Sequence, residues 1–249
     1  MKIAHIINPL IAKETSDLFH AQPMTFKSMI EAKQYALKKN PYNTIELLAT
    51  VYEEDMRIIP KEFRRASNLQ SSILDIMKPK KPRKLPFVKD VIDKALERNP
   101  EYLIYTNVDI ALMPDFYTKI IDYIKLGHDG IIINRTTMPS YNNKDLDWFV
   151  ENIQIGKRHP GYDCFVIKKE LYDQFQLGQI VVGINWIGEM IKRNILYLAK
   201  NPILLWDSRM TFHMGDDSPV HVSTEYQDQQ QFNAHQAQIL TTKLESLIK

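Results

Sequence analysis

"YLIYTNVDIALMPDFY", Tyr102 to Tyr117, decides the fold. It opens with an apolar run, Tyr102 to Tyr105, and meets a polar step, Thr106-Asn107-Val108-Asp109. An apolar stretch follows, and after Pro114 a helical pattern begins. An apolar run that ends in polar residues and leads into a helix reads as a buried strand of an α/β sheet. Ligands of such sheets bind outside the carboxyl ends of the strands, which is where the polar step falls. At strand period two, Asn107 and Asp109 point the same way. Two oxygens converging there suit one hard divalent ion, Mg²⁺ or Mn²⁺, with a diphosphate completing its shell. The other reading of the step is an Asx turn.

Outward from this stretch, strands and helices alternate. Ile3 to Ile7 is a short buried strand stopped by Asn8-Pro9. Met24 to Lys39 has helical apolar spacing, with Thr25 as N-cap and Asn40-Pro41 as stop. Thr44 to Asp55 is a second strand that ends in acids. "FVKDVIDKALERNP" is a helix with Val88, Val91, Ile92, Ala95 and Leu96 on one face. Beyond the central stretch come a helix closed by Gly127 and the strand "GIIINR". "YDCFVIKKELYDQF" reads as a strand and a short helix, "NWIGEMIKRNI" as a helix, and "ILLWDSRMTFHMGDD" as a strand running into a polar loop. The tail places Phe232, Ile239, Leu240, Leu244, Leu247 and Ile248 near one helical face, with its glutamines on the solvated face. The pattern predicts one α/β unit over 1–249 with a mainly parallel central sheet flanked by helices. It also predicts a C-terminal helix at 225–249 and a basic, proline-rich loop at 56–86, either exposed and solvated or folding over a diphosphate or facing an anionic acceptor.

Bulk properties narrow the function. A chain of 249 residues buries a sizeable core. A formal net charge of +2 gives no field that argues for nucleic acid or membrane. The one cysteine, Cys164, excludes an intramolecular disulfide and a multi-cysteine metal site. No signal peptide and no apolar run of the ~20 residues that span a bilayer are visible, so a soluble cytoplasmic protein is expected.

Further polar residues stand near strand ends. His213 precedes Gly215 and two acids, and is either structural or a metal ligand. Pro160-Gly161 precede Asp163, which reads as a turn residue or as an acceptor of hydrogen bonds from hydroxyls. Glu189 lies beside Trp186 and Gly188, and is either an exposed helix residue or a general base. Trp186, Tyr162 and Tyr141 are core residues or stacking faces for sugars.

Taken in order, these segments resemble nucleotide-diphospho-sugar glycosyltransferases of the GT-A fold. "KIAHIINPL" is similar to the first strand, "IELLATVYEED" to the second, and "YLIYTNVDIALMPDFY" to the strand with the Asp-X-Asp metal motif. "HPGYDCFVIKKELY" resembles the acceptor-side strand, "NWIGEMI" the segment that carries the base in inverting members, and "WDSRMTFHMGDD" the late segment with a metal-binding His. The resemblance implies a transfer of sugar from a UDP- or GDP-sugar to a glycan or other hydroxyl acceptor, with Mn²⁺ or Mg²⁺. It implies Asp109 and His213 as metal ligands. Asn8, Pro9 and Asp55, or Glu53, would lie near the nucleotide base. Asn107 takes the place of the motif's first acid and would touch the ribose or the metal's water. Asp163 would face the sugar or acceptor, and Glu189 would be the catalytic base. The alternatives are a nucleotidyltransferase and a catalytically degenerate domain that binds a sugar or a partner. "INPLIAKETSD" has no glycine, which counts against the first, while Asn107 supports the second. No Gly-x-Gly follows the first strand, which disfavours a dinucleotide-binding dehydrogenase or a methyltransferase.

Overall fold

The computed structural model describes residues 1–140, 142–215 and 224–247. Among the described residues nine strands form one sheet: β1 (Lys2–Ile7), β2 (Thr44–Ala49), β3 (Arg64–Arg65), β4 (Tyr102–Thr106), β5 (Ala111–Leu112), β6 (Gly130–Met138), β7 (Lys157–Lys168), β8 (Pro202–Leu205) and β9 (Thr211–Met214). Their order is β3-β2-β1-β4-β7-β6-β9-β5, and β8 also pairs with β6. Five pairings are parallel and three antiparallel, because β7 runs against both its neighbours and β5 against β9. The mainly parallel sheet is as expected.

Helices cover both faces. On one side α1 (Asp17–Lys39) and α3 (Phe116–Lys125) bury Met29, Ala32, Phe116 and Ile120 against Ile3, Ile7, Ile104 and Val166. On the other, α2 (Val88–Leu96), α6 (Ile187–Leu198) and α7 (Gln227–Leu247) pack on Ala4, Ile6, Leu103 and Phe165. The central strands are buried on both faces, so they read as unbroken apolar runs. Two short helices, α4 (Leu146–Glu151) and α5 (Lys169–Tyr172), complete the chain.

Several boundaries differ from expectation. α1 starts at Asp17 after Ser16, eight residues before the expected cap at Thr25, and it carries Pro23 in its interior. Ala21, Gln22, Met24 and Thr25 are buried around that proline. Their packing outweighs the ~3 kcal/mol that an interior proline costs. β2 stops at Ala49, and its acids fall in a 3₁₀ turn, Glu53–Ile58. β4 stops at Thr106, so Asn107 to Ile110 form a turn rather than a strand, closed by Ile110 N–H on the Asn107 carbonyl at 3.3 Å. The late strand is two strands, β8 and β9, split by a bend at Asp207 and Arg209, both with positive φ.

The C-terminal helix departs most. Its buried stripe is Gln229, Asn233, Ala237, Leu240 and Leu244, while Ile239 and Leu247 are exposed; Ile248 lies outside the described residues. Gln229 and Asn233 are fully buried, and each is hydrogen-bonded through both its amide oxygen and its amide nitrogen. Gln229 accepts from Arg83 and donates to the Lys81 carbonyl. Asn233 accepts from Val181 N–H and donates to the carbonyls of Val181 and Asn185. The basic loop is therefore not simply solvated. It is tied to α7 by Gln229 and by Asp228, which accepts from Lys80 N–H, and to the turn just before α7 by Arg83 lying 3.9 Å over the Tyr226 ring. Among the described residues, no helix is long and apolar enough to cross a membrane.

Candidate active site

Five strands bring one polar cluster to the carboxyl edge of β4. Thr106 pairs with Cys164, so the next residue, Asn107, faces Asp163 on β7. The Asn107 side-chain N–H donates to Asp163 Oδ1 at 2.8 Å, and its carbonyl oxygen accepts from the Tyr105 hydroxyl at 3.1 Å. β6 is irregular between Ile133 and Thr136, and such bulges re-aim side chains. Here Arg135 meets Asp163 Oδ2 at 2.8 Å and also bonds His159. β5 pairs antiparallel with β9, Ala111 opposite Phe212, which carries Asp109 alongside His213. Asp109 Oδ2 and His213 Nε2 are 3.5 Å apart.

Asn107, Asp109, Asp163 and His213 are thus brought together, by a turn and a short strand pair rather than by strand alternation. Arg135 and His159 join them. Both were missed in the sequence, although Asn134-Arg135 at the end of "GIIINR" repeats the pattern of a polar step after an apolar run.

The electrostatics follow from burial. Asp163 is buried against Arg135, and burial raises its pKa more than the guanidinium lowers it. Burial also works to raise Asp109, but the hydrogen bond and charge of His213, with Arg135, hold it below the ordinary value. Burial works to lower His213, and Asp109 outweighs it, so the imidazole titrates above its usual 6.5. His213 Nδ1–H donates to the Gly215 carbonyl at 3.0 Å. In the neutral imidazole this leaves Nε2 as a lone pair facing Asp109. A carbonyl behind the ring is a common way to orient a metal-ligating histidine.

Asp109 Oδ1 is buried and accepts no hydrogen bond. An orphaned carboxylate oxygen costs stability unless something positive meets it. The carboxylate, with Oδ2 3.5 Å from His213 Nε2, and the neutral imidazole have the donor chemistry that suits a divalent cation. Among the described residues no group of three or more His, Cys, Asp or Glu side chains could hold a metal ion. Asp216 and Asp217, the acids expected to adjoin His213, lie outside the described residues.

The other expected residues bond to partners outside this cluster. Asn8 donates to the Thr50 carbonyl at 2.8 Å, and Pro9 beside it is buried. Asp55 accepts from Ile11 N–H at 2.8 Å. These bonds join the ends of β1 and β2 into one rim. Glu53 is exposed in the 3₁₀ turn. Glu189, in the first turn of α6, pairs with Lys192 at 2.6 Å and Arg193 at 2.7 Å. Burial works to raise its pKa, and these two cations outweigh it and keep the carboxylate ionised. Trp186 precedes α6 with φ +86°, a left-handed conformation, and is 39% exposed. Tyr162 stands 5.7 Å from Trp206, with Lys192 and Arg158 over the two rings. Tyr141 lies outside the described residues. A cavity of about 690 Å³ opens beside Ile11, Phe19, Phe26 and Arg57, and no residue of the cluster lines it.

No family model matches the chain, and no curated protein matches its sequence. Solved structures match its fold. S. aureus TarS, residues 1–349 in complex with UDP-GlcNAc, superposes with a TM-score of 0.52 at 12% identity, over 96% of this chain and 70% of that one. The same TarS fragment in complex with UDP gives 0.51 at 12% identity, again over 96% and 70%. A longer TarS structure gives 0.50 at 12%, and this chain spans 42% of it. TarS is a GT-A-like glycosyltransferase, and the likeness establishes that fold for this chain.

Proposed function

We propose that this chain is a glycosyltransferase that moves a sugar from a nucleotide-diphosphate donor, a UDP- or GDP-sugar, to a hydroxyl acceptor such as a glycan. The observation that carries the proposal is the buried Asp109 carboxylate at the carboxyl edge of a GT-A-like sheet, with Oδ1 accepting no hydrogen bond and Oδ2 3.5 Å from His213 Nε2. TarS binds UDP and UDP-GlcNAc on the same fold, which supports a nucleotide-sugar donor.

In this reading Asp109 and His213 hold the cation, Mn²⁺ in preference to Mg²⁺, because one ligand is an imidazole nitrogen. When bound, the cation supplies positive charge that stabilises the departing diphosphate. The nucleotide base lies on the rim of Asn8, Pro9 and Asp55. Glu189 is the proposed base. The acceptor oxygen bonds the anomeric carbon, the bond from that carbon to the diphosphate breaks, and the acceptor's proton passes to the Glu189 carboxylate. Lys192 and Arg193 keep that carboxylate charged and lower its basicity. Tyr162 and Trp206 offer faces to a sugar ring. Asp163, with both oxygens engaged, lines the sugar side without moving a proton. A cytoplasmic setting accords with Cys164, which is free and buried.

The test is turnover. UDP- and GDP-sugars are incubated with a glycan array, with and without Mn²⁺, and free nucleoside diphosphate is measured. Cation-dependent release with labelling of an acceptor is expected. Pyrophosphate release from a nucleoside triphosphate and a sugar phosphate would instead identify a nucleotidyltransferase. Binding without turnover would identify a degenerate domain.

A further inference from the structure

Position 107 is an amide where a carboxylate would be the simpler choice beside a cation. The structure gives a physical reason. The Tyr105 hydroxyl donates to Asn107 Oδ1, which orients the amide so that Nδ2 faces β7. Nδ2 donates to Asp163 Oδ1 at 2.8 Å, and Arg135 takes the other Asp163 oxygen at 2.8 Å. The Arg135 and Asp163 side chains are only 7% and 15% exposed, so neither can turn away into water. A carboxylate at 107 would keep the Tyr105 bond and set two acids against each other at 2.8 Å. An exchange of the two residues would not. Asn and Asp have the same shape, and an amide at 163 would offer N–H to position 107 and its carbonyl oxygen to Arg135.

We propose that Asn107 and Asp163 form a transposed acid–amide pair, in which Asp163 on β7 supplies the negative charge that an acid at position 107 would otherwise supply to the cluster around Asp109. Asp163 is then a positioning residue: it fixes the Asn107 turn that presents Asp109, and it sets the charge of the site. The functional half of this inference rests on the glycosyltransferase reading, and the structural half does not.

The experiment compares wild type with Asn107→Asp, Asp163→Asn and the double exchange. Thermal unfolding is measured without ligand, and UDP and GDP affinities are measured with Mn²⁺. Each single change is expected to lower the melting temperature and to weaken nucleotide binding by about tenfold or more, as in networks of contacting residues. The double exchange is expected to recover most of both. Additive loss of stability in the double would overturn the pair. Recovery of stability with nucleotide affinity still as weak as in the singles would overturn the functional half and leave a purely structural pair. If wild type binds no nucleotide, the glycosyltransferase reading fails, and the stability cycle still decides whether the pair is transposed. Should Asp163→Asn not fold, Asn107→Asp is compared with Asn107→Ser. The pair requires the acid to be the worse of the two, and equal losses contradict it.

Discussion

At the scale of single residues, the pair Asp109–His213 ties stability to pH. The folded pKa of His213 lies above 6.5, so its contribution is fully present below 6.5 and is lost as pH rises through the folded value. The folded pKa of Asp109 lies below 3.8, so its contribution is present above 3.8 and is lost as pH falls through the folded value. The pair therefore stabilises most between those two limits. His213→Asn is expected to lower the melting temperature more at about pH 5.5 than at about pH 8.5; equal losses would show that the pair does not form. Cation binding needs the neutral imidazole, so stabilisation by Mn²⁺ with nucleotide should grow over the same rise in pH. Much of this site was legible in the sequence. Asp109 stood out as an acid after an apolar run, and His213 as a histidine after another. Arg135 escaped although it follows an apolar run, because its aim depends on the bulge in β6, and His159 because its place depends on the register of β7. Asn107 was legible as an oddity, and only its contact with Asp163 explains it.

At the scale of elements, the irregular segments before α2 and α6 are held by buried polar residues as well as by an apolar cluster of Ile73, Phe87, Val181 and Ile184. Gln229 and Asn233 clamp the basic loop and the segment before α6 onto α7. Replacing either with Leu leaves buried backbone groups unpaired and should cost about 1–3 kcal/mol in urea unfolding. A neutral outcome would mean that water takes over those bonds. α6 is seated on β7 at Gly188, where an added Cβ would stand 2.2 Å from the Tyr162 carbonyl oxygen. Gly188→Ala should cost about 1–3 kcal/mol, since backbone must move; unchanged stability would contradict that close seating. The sequence announced α2, α3 and β1 through periodicity and stop residues. It misplaced the start of α1 because tertiary burial overrode Pro23. It misread α7 because two polar side chains occupy its buried stripe, and periodicity counts polar residues as solvated.

At the scale of the molecule, β4 and β7 run antiparallel at the centre of the sheet, and the candidate chemistry collects where they meet. β4 ends there in the turn of Asn107 and Asp109, β7 supplies Asp163, and β5 and β9 bring His213 across. The fold class was legible because strands buried on both faces alternate with helices. The site was legible in part because its residues cluster at strand ends, although two strand boundaries were misplaced. The central claim is that this GT-A-like sheet holds a nucleotide diphosphate through a cation on Asp109. The most direct measurement is calorimetric titration of UDP and GDP into wild type and Asp109→Ala, each with and without Mn²⁺. At least one nucleotide is expected to bind wild type in a cation-dependent manner, and Asp109→Ala to lose that dependence with at least about a tenfold fall in affinity. Equal binding by Asp109→Ala, or binding indifferent to Mn²⁺, would contradict the claim.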